Sequence, residues 1–245
     1  MNDWIATDLD GTLFSRSWGD EESVPATWRL DPESGRLEPS SWMRLSTQRS
    51  IVALQSIAAI VPVTARDADS YGRVNIPGIG LAGPAVITNG AIILDRNGKA
   101  DSGWENEMIR RLRPWKTWLE QCLAQLIALS SGNARPRLVA GPPGQHAYLV
   151  AKADAGWWEG DAGREILAAI EWEECRISLL GNELQVLPPG LGKLQALEEV
   201  MERYFGGRRP MFCFGDMIAD LEFMRLGEIL ATPRQSALEH AWPKS

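Results

Sequence analysis

The sequence predicts an α/β fold: a core built on a parallel sheet and interrupted by a smaller inserted α+β domain. Three observations carry that prediction. Short apolar runs at residues 4–7, 60–63 and 211–214 each pass into a loop, and a strand, loop and helix order repeats near both ends of the chain. The polar residues Asp8, Thr64, Asn89 and Asp216 fall where these and a further short strand end, and a parallel sheet gathers ligands outside the carboxyl ends of its strands. Between the two end segments, roughly 90–187, the pattern is that of a separate small sheet covered by helices.

The elements follow in order. Residues 4–7 form an apolar run that ends at Asp8, with Gly11 in the loop beyond. From 15 to 46 the chain is rich in Ser, Pro, Glu, Asp and Gly, with turn signals at Asp31-Pro32 and Ser34-Gly35. Irregular structure or a short hairpin is expected there, and its length suggests a lid or surface excursion. Residues 47–59 place Ile51, Leu54 and Ala58 on one face and predict a helix; 60–63 then read as a strand ending at Thr64. A third strand, 85–88, ends at Asn89-Gly90, and 92–94 can pair with a neighbour across a turn. Residues 105–129 read as helical, with a kink or break near Pro114, which cannot continue the hydrogen-bond ladder. Strands at 137–140 and 147–151 flank the turn Gly141-Pro142-Pro143-Gly144, a helix follows at 161–169, and 175–180 with 184–187 form a hairpin around Gly181-Asn182. Pro188-Pro189-Gly190 marks a boundary. Beyond it come a helix at 191–204, a buried-type strand at 211–214 running into Gly215-Asp216, a helix at 219–225 and a last strand at 228–231.

Composition narrows the function classes. The 245 residues suit one large domain or a core with an insertion. Hydrophobic residues at 44% against 23% charged are the balance of a globular chain, not a disordered one. A net charge of -7 provides no general footprint for nucleic acid, and no nucleic-acid partner is expected. Cys122, Cys175 and Cys213 are odd in number, far apart and without Cys-x-x-Cys or Cys/His spacing, which argues against a disulfide framework or thiolate metal site. The most apolar long segment, 51–63, is interrupted by Gln55 and Ser56 and is too short to span a bilayer, so no membrane partner is expected. The N-terminus lacks the basic region and apolar stretch of a secretory signal, and a cytoplasmic monomer or homodimer is expected. The tryptophans are scattered, as packing residues are, and do not form a stacking platform.

The acids carry the chemistry. Asp8 and Asp10 flank Leu9 at one strand end, and two carboxylates there repel each other unless a cation or shared proton relieves them. A second pair, Asp216 and Asp220, also follows a strand. If both strands lie centrally in one parallel sheet, all four acids converge, and a hard ion such as Mg²⁺ prefers such oxygen ligands. An aspartate beside a neutralised phosphate can attack phosphorus, and a second acid can protonate the leaving oxygen and later activate water.

The segment Asp8-Leu9-Asp10-Gly11-Thr12-Leu13 resembles the first motif of the haloacid dehalogenase (HAD) superfamily of phosphohydrolases. Three further segments stand in that superfamily's order: Val63-Thr64; Lys193 before Leu194-Gln195-Ala196-Leu197; and Gly215-Asp216 with Asp220. The resemblance covers about residues 1–90 and 186–232. The middle of the chain, together with Thr88-Asn89-Gly90-Ala91, is similar to the subgroup with a large α/β cap between the second and third motifs, which includes Cof-like, sucrose-phosphate and mannosylphosphoglycerate phosphatases and phosphomannomutase-type members. It implies a three-layer Rossmann-like core at 1–88 and 188–245 and an inserted cap of the C2 type at 89–187, closing over the core to exclude water.

The roles implied by the resemblance are these. Asp8 is the nucleophile and a Mg²⁺ ligand. Asp10 is the general acid/base and offers its backbone carbonyl to the metal. Thr64 donates a hydrogen bond to a phosphoryl oxygen, and Lys193 neutralises phosphate and nucleophile. Asp216 is a metal ligand; Asp220 holds metal-bound water or the lysine. Backbone N–H groups near Leu9 and Ala65 complete a phosphate cradle. Two departures stand in the fourth motif: Ala219 replaces the usual Asn, and Met217 replaces a small hydroxyl residue. Leu194 also replaces a usual Gly after the lysine. Arg66, Asn89, His146 and Lys152 are candidate substrate contacts; ordinary turn, surface or packing roles compete for each.

The expected function is Mg²⁺-dependent hydrolysis of a small phosphorylated metabolite, such as a sugar phosphate, through an aspartyl-phosphate on Asp8. Two alternatives stay open at this point: a phosphomutase of the same superfamily, for which no rich Arg cluster appears between 90 and 187, and a catalytically weak ligand-binding or scaffold protein, which Met217 and Ala219 motivate.

Overall fold

In the computed structural model, which describes residues 3–20, 22–81 and 83–241, the chain divides into two compact units, Met1–Ala100 with Lys193–Ser245, and Asp101–Gly192. The first unit is thus assembled from both ends of the chain. Residues 89–100, placed in the insertion by the sequence reading, group with this first unit. Among the described residues no helix is long and apolar enough to cross a membrane.

Strand β1 (Asp3–Thr7) opens the first unit, with Trp4, Ile5, Ala6 and Thr7 all buried. The chain then leaves as the antiparallel pair β2 (Ser23–Leu30) and β3 (Leu37–Arg44). Of the two expectations for 15–46, irregular structure or a short hairpin, the hairpin is observed, with two long strands and its base in the core. Ala26 and Met43 share a buried cluster with Ile5, Phe14, Ile51 and Ile60, while Leu30 and Leu37 pair at the far end and are exposed. Register shifts between Pro25 and Trp28 break the two-residue alternation that announces a strand in sequence.

Helix α1 (Leu45–Gln55) follows and stops short of the predicted end. Ser56 and Ile57 turn back through hydrogen bonds to the Ala53 and Leu54 carbonyls, and Ala58 and Ala59 belong to β4 (Ala58–Pro62). Alanine suits either conformation locally; pairing with β1 decides for strand. A one-turn helix α2 (Ala68–Tyr71), absent from the sequence reading, is capped by Asp67, which accepts from the Ser70 N–H. The hairpin β5 (Ala85–Ile87) and β6 (Ile92–Leu94) comes next. Its strand ends at Ile87 because Thr88, Asn89 and Gly90 all adopt left-handed backbone, with φ of 55, 53 and 94°. A β-branched residue in that region is uncommon and strained.

The second unit, inserted in sequence, starts with α3 (Ser102–Leu112) and α4 (Lys116–Ser130). Pro114 lies in a 3₁₀ turn between them, so the long predicted helix is broken into two at that residue. Its strands β7 (Ala134–Ala140) and β8 (His146–Ala153) precede helix α5 (Asp161–Ala169), and β9 (Arg176–Leu180) with β10 (Glu183–Leu187) closes the sheet. The order is β7-β8-β10-β9, antiparallel throughout. Leu119, Cys122 and Leu126 recur at helical spacing on α4, and these residues, with Ile166 of α5, bury against Leu149, Ala151, Leu184 and Val186.

The chain returns to the first unit with α6 (Lys193–Phe205), whose inner face carries Leu194, Leu197 and Val200. Strand β11 (Phe212–Phe214), the short helix α7 (Leu221–Met224), strand β12 (Ile229–Ala231) and helix α8 (Ala237–Ala241) complete it. The main sheet runs β12-β11-β1-β4, all parallel, and a Val63–Val86 bridge carries it towards β5. The central pair β1 and β11 is joined in register, Thr7 opposite Phe214. Residues 8 and 216 therefore leave the same edge of the sheet as near neighbours.

Ile5 is fully buried at the middle of β1, opposite Phe212 of β11. Ile5→Ala is expected to cost about 2–5 kcal/mol of unfolding free energy, read from the urea midpoint at unchanged slope.

Candidate active site

The loop after β1 is tight. Leu13 and Phe14 N–H groups both return to the Leu9 carbonyl, and the Gly11 N–H reaches the Phe14 carbonyl. Gly11 has φ of 84°, and a Cβ there would stand 2.2 Å from Asp216 Oδ2, so glycine is required both by the turn and by the close approach of the second acidic loop. Gly215 is similarly constrained, since a Cβ would meet the Asp220 Cβ at 2.6 Å. The two loops thus interlock at Gly11, and Gly215 lets the second loop fold back on Asp220.

This interlocking brings together Asp8, Asp216 and Asp220, with one carboxylate oxygen from each lying within 4.8 Å of the others. Lys193, the first residue of α6, enters the cluster. Its ammonium donates to Asp8 Oδ1 at 2.8 Å and to Asp220 Oδ1 at 2.7 Å. Thr12 bridges on the other side, donating towards Asp8 Oδ2 at 3.3 Å and Asp216 Oδ1 at 3.1 Å. The second oxygen of Asp220 accepts from the backbone N–H groups of Asp216 and Met217, at 3.3 and 3.2 Å. The replacements at Met217 and Ala219 therefore leave Asp220 anchored, because main-chain donors hold it.

The electrostatics are unbalanced. Burial pushes the Asp8 carboxyl up to about 7; Lys193 opposes that rise, and Asp220 and Asp216 add to it. Burial followed by repulsion from Asp220 pushes Asp216 up to about 6, against the Thr12 hydrogen bond. For Lys193 burial disfavours the charge, yet Asp8 and Asp220 hold its pKa above the ordinary lysine value. Three carboxylates thus stand together with one ammonium, which pairs with Asp8 and Asp220. Burial and mutual repulsion thus favour a proton or a further cation at Asp8 and Asp216. The donors are all carboxylate oxygens, the choice of a hard divalent ion, so the residues fit Mg²⁺.

Asp10 stands apart from this cluster. Its exposed carboxylate is gripped by Arg66, Nε to Oδ2 at 2.6 Å and Nη2 to Oδ1 at 2.7 Å. Thr64 is buried at the end of the β4 segment, and its hydroxyl oxygen accepts from the Arg66 N–H at 3.1 Å. The Asn89 N–H bonds the Thr64 carbonyl and the Thr88 N–H bonds the Arg66 carbonyl, so the left-handed turn is stitched to this loop. Thr88 Oγ1 and Asn89 Nδ2 are buried without a hydrogen-bond partner among the described residues. His146 and Lys152 belong to the second unit, where they pair with Glu120 at 3.2 Å and Glu183 at 3.1 Å. Two contributors escaped sequence reading: Thr12 as a bridge between acids and Arg66 as the partner of Asp10. A hydroxyl four residues after Asp8 was the only local sign of the first; no local sign points to the second.

No family model matches the chain, and no curated protein matches it by sequence. Solved structures do match in shape. A sugar phosphatase of HAD subclass IIB is similar with a TM-score of 0.56 at 14% identity, over 97% of this chain and 90% of that one. A haloacid dehalogenase-like hydrolase from Bacteroides thetaiotaomicron is similar with a TM-score of 0.53 at 12% identity, over 98% and 96% of the two chains. The C-terminal domain of trehalose-6-phosphate phosphatase from C. albicans gives 0.55 at 13% identity, over 92% of this chain and 73% of that one. The chain has the HAD fold: a Rossmann-like core with a central parallel sheet and an α+β insertion.

Raised carboxyl pKa values bind protons that the unfolded chain releases, so the stability contributed by Asp8 and Asp216 is present below pH 4 and lost as pH rises through about 6 to 7. Metal-free protein is expected to lose melting temperature on this account between pH 5 and pH 8. Mg²⁺ at ~100 times its Kd is expected to add about 2.7 kcal/mol, or roughly 5–10 °C of Tm, at pH 8 and distinctly less at pH 5, where protons compete. An equal shift at both values would contradict the cluster as the binding site. Lys193→Met strands the carboxylates and is expected to cost about 3–5 kcal/mol at pH 8, with a smaller loss at pH 5, both measured by chemical denaturation.

Proposed function

We propose that the protein is a phosphatase that hydrolyses a small phosphate monoester, with Mg²⁺ as cofactor and Asp8 as the phosphoryl acceptor. The observation that carries this reading is the Lys193 ammonium shared between Asp8 and Asp220 inside a three-carboxylate cluster at the carboxyl edge of a parallel sheet. Asp8 is buried and oriented from two sides, by Lys193 on one oxygen and Thr12 on the other. That fixes the direction of a nucleophile before any substrate arrives. Lys193 offsets the charge of the attacking carboxylate and of an incoming phosphate. Asp8 and Asp216, with the backbone carbonyl of Asp10, would hold Mg²⁺, which when bound neutralises phosphoryl charge. Asp220 has both oxygens engaged, so its role is to position Lys193 and the Asp216–Met217 backbone.

Thr64 accepts from the Arg66 N–H, which leaves its own O–H to donate to a phosphoryl oxygen. Asp10 is the acid that delivers a proton to the leaving oxygen and the base that takes one from water. Structures of the same fold described as sugar phosphatase and trehalose-6-phosphate phosphatase support a sugar phosphate as the substrate class. The anchoring of Asp220 by main-chain donors favours a working catalyst over a scaffold, despite Met217 and Ala219.

Phosphate release from a panel of sugar phosphates in the presence of Mg²⁺ tests the reading. Activity is expected on at least one member and is expected to vanish with chelation of the metal. Asp8→Asn is expected to reduce turnover by at least about 10³-fold with Tm unchanged or raised, because a buried charge has been removed. Wild-type turnover in that variant would refute the nucleophile assignment.

A further inference from the structure

We propose that Arg66 is a positioning residue that acts through Asp10 and makes no direct contact with the transferred phosphate. The inference rests on the reading of Asp8 as phosphoryl acceptor and Asp10 as proton carrier.

The geometry is that of a side chain already committed. Nε and Nη2 of Arg66 take both oxygens of Asp10 at 2.6 and 2.7 Å, and Nη1 donates to the Ser70 carbonyl at 3.0 Å. The guanidinium carbon lies 5.1 Å from the centroid of the buried Phe14 ring. The main chain is fastened on both sides, the N–H to Thr64 Oγ1 at 3.1 Å and the carbonyl to the Thr88 N–H at 2.7 Å. Ser70 is itself pinned, its N–H bonded to the Asp67 cap at 2.9 Å. Arg66 is therefore the rigid member of the pair. Its side chain is 17% exposed, against 55% for Asp10. A surface ion pair between two mobile side chains contributes little; a fork held at its base and at three nitrogens instead dictates where the carboxylate sits.

The chemistry explains why this matters. In the first step a bond forms between Asp8 and phosphorus, the bond from phosphorus to the leaving oxygen breaks, and the Asp10 proton passes to that oxygen. The Arg66 fork fixes both Asp10 oxygens in one orientation, so it sets where the proton-carrying group stands relative to the leaving oxygen. In the second step water oxygen bonds phosphorus, the bond to Asp8 breaks, and the water proton returns to Asp10. Asp8 and protonated Asp10 are restored, and alcohol and phosphate have been released. The contribution of Arg66 is then largest where the leaving oxygen most needs a proton.

Leaving-group dependence separates this role from phosphate binding. The probes are phenyl phosphate, a poor leaving group, and 2,4-dinitrophenyl phosphate, which departs without protonation. In single turnovers with enzyme in excess, Arg66→Met is expected to slow phenol release from phenyl phosphate by about 10²-fold, with a loss below about 5-fold in dinitrophenolate release and KM nearly unchanged for both. Asp10→Asn should show the same asymmetry. Arg66→Lys keeps the charge but not the fork and should fall between; it carries the same comparison if Arg66→Met does not fold, which its melting curve reports. Equal losses on both esters in a folded variant, or a rise in KM alone, would overturn the inference while leaving the phosphatase reading intact. A wild-type enzyme inactive on both esters and on the sugar phosphate panel would remove that reading and this inference with it.

Discussion

The two hydrogen bonds of the Lys193 ammonium hold the site together. They join Asp8, 185 residues earlier in the chain, to Asp220, and they place a positive charge where buried carboxylates would otherwise face one another. Much of the first unit serves that contact. β1 and β11 lie side by side so that their loops leave one edge, Gly11 allows those loops to touch, and α6 starts at the residue whose side chain enters between them. The Phe223 ring, with its centroid 5.5 Å from the ammonium, closes the apolar side. Burial first raises the Asp8 and Asp216 pKa values, and repulsion from the other acids, which one ammonium does not balance, adds to the rise. The excess of negative charge left there favours a cation.

Two residues apart in sequence, Asp8 and Asp10 meet opposite surroundings. Asp8 is buried among acids and held by an ammonium and a hydroxyl. Asp10 is exposed and held by the fork of a guanidinium. Pairs of carboxylates with divergent environments are how one site separates nucleophile from proton carrier. The tight turn closed at the Leu9 carbonyl sends the two side chains to different places. The left-handed turn at Thr88–Gly90, strained and bonded to the Thr64 and Arg66 backbone, holds the loop from which Arg66 reaches Asp10.

Much of the fold was legible in the chain. The strands ending at Asp8 and Asp216, the helix that starts at Lys193, the hairpin around Gly181-Asn182 and the break at Pro114 all follow from apolar runs, periodicity and turn residues. The hairpin β2–β3 was legible only as an alternative to irregular structure, because register shifts interrupt its alternation. The short helices α2 and α8 are too brief to show a period, and the end of α1 was misjudged because Ala58 and Ala59 suit helix and strand alike.

The sequence by itself determined the α/β class, the insertion of one unit within another, and the residue types from which a phosphoryl-transfer site can be built. These are local properties: a period, a turn signal or a short motif is written in neighbouring residues. Only the tertiary structure decided that Asp8, Asp216 and Asp220 lie within one ion's reach, that Thr12 bridges two of them, and that Arg66 is spent on Asp10. Distances between remote residues depend on strand order, register and the clearance that a missing Cβ allows. No single segment contains that information, because it arises when strands from both ends of the chain pair in one sheet.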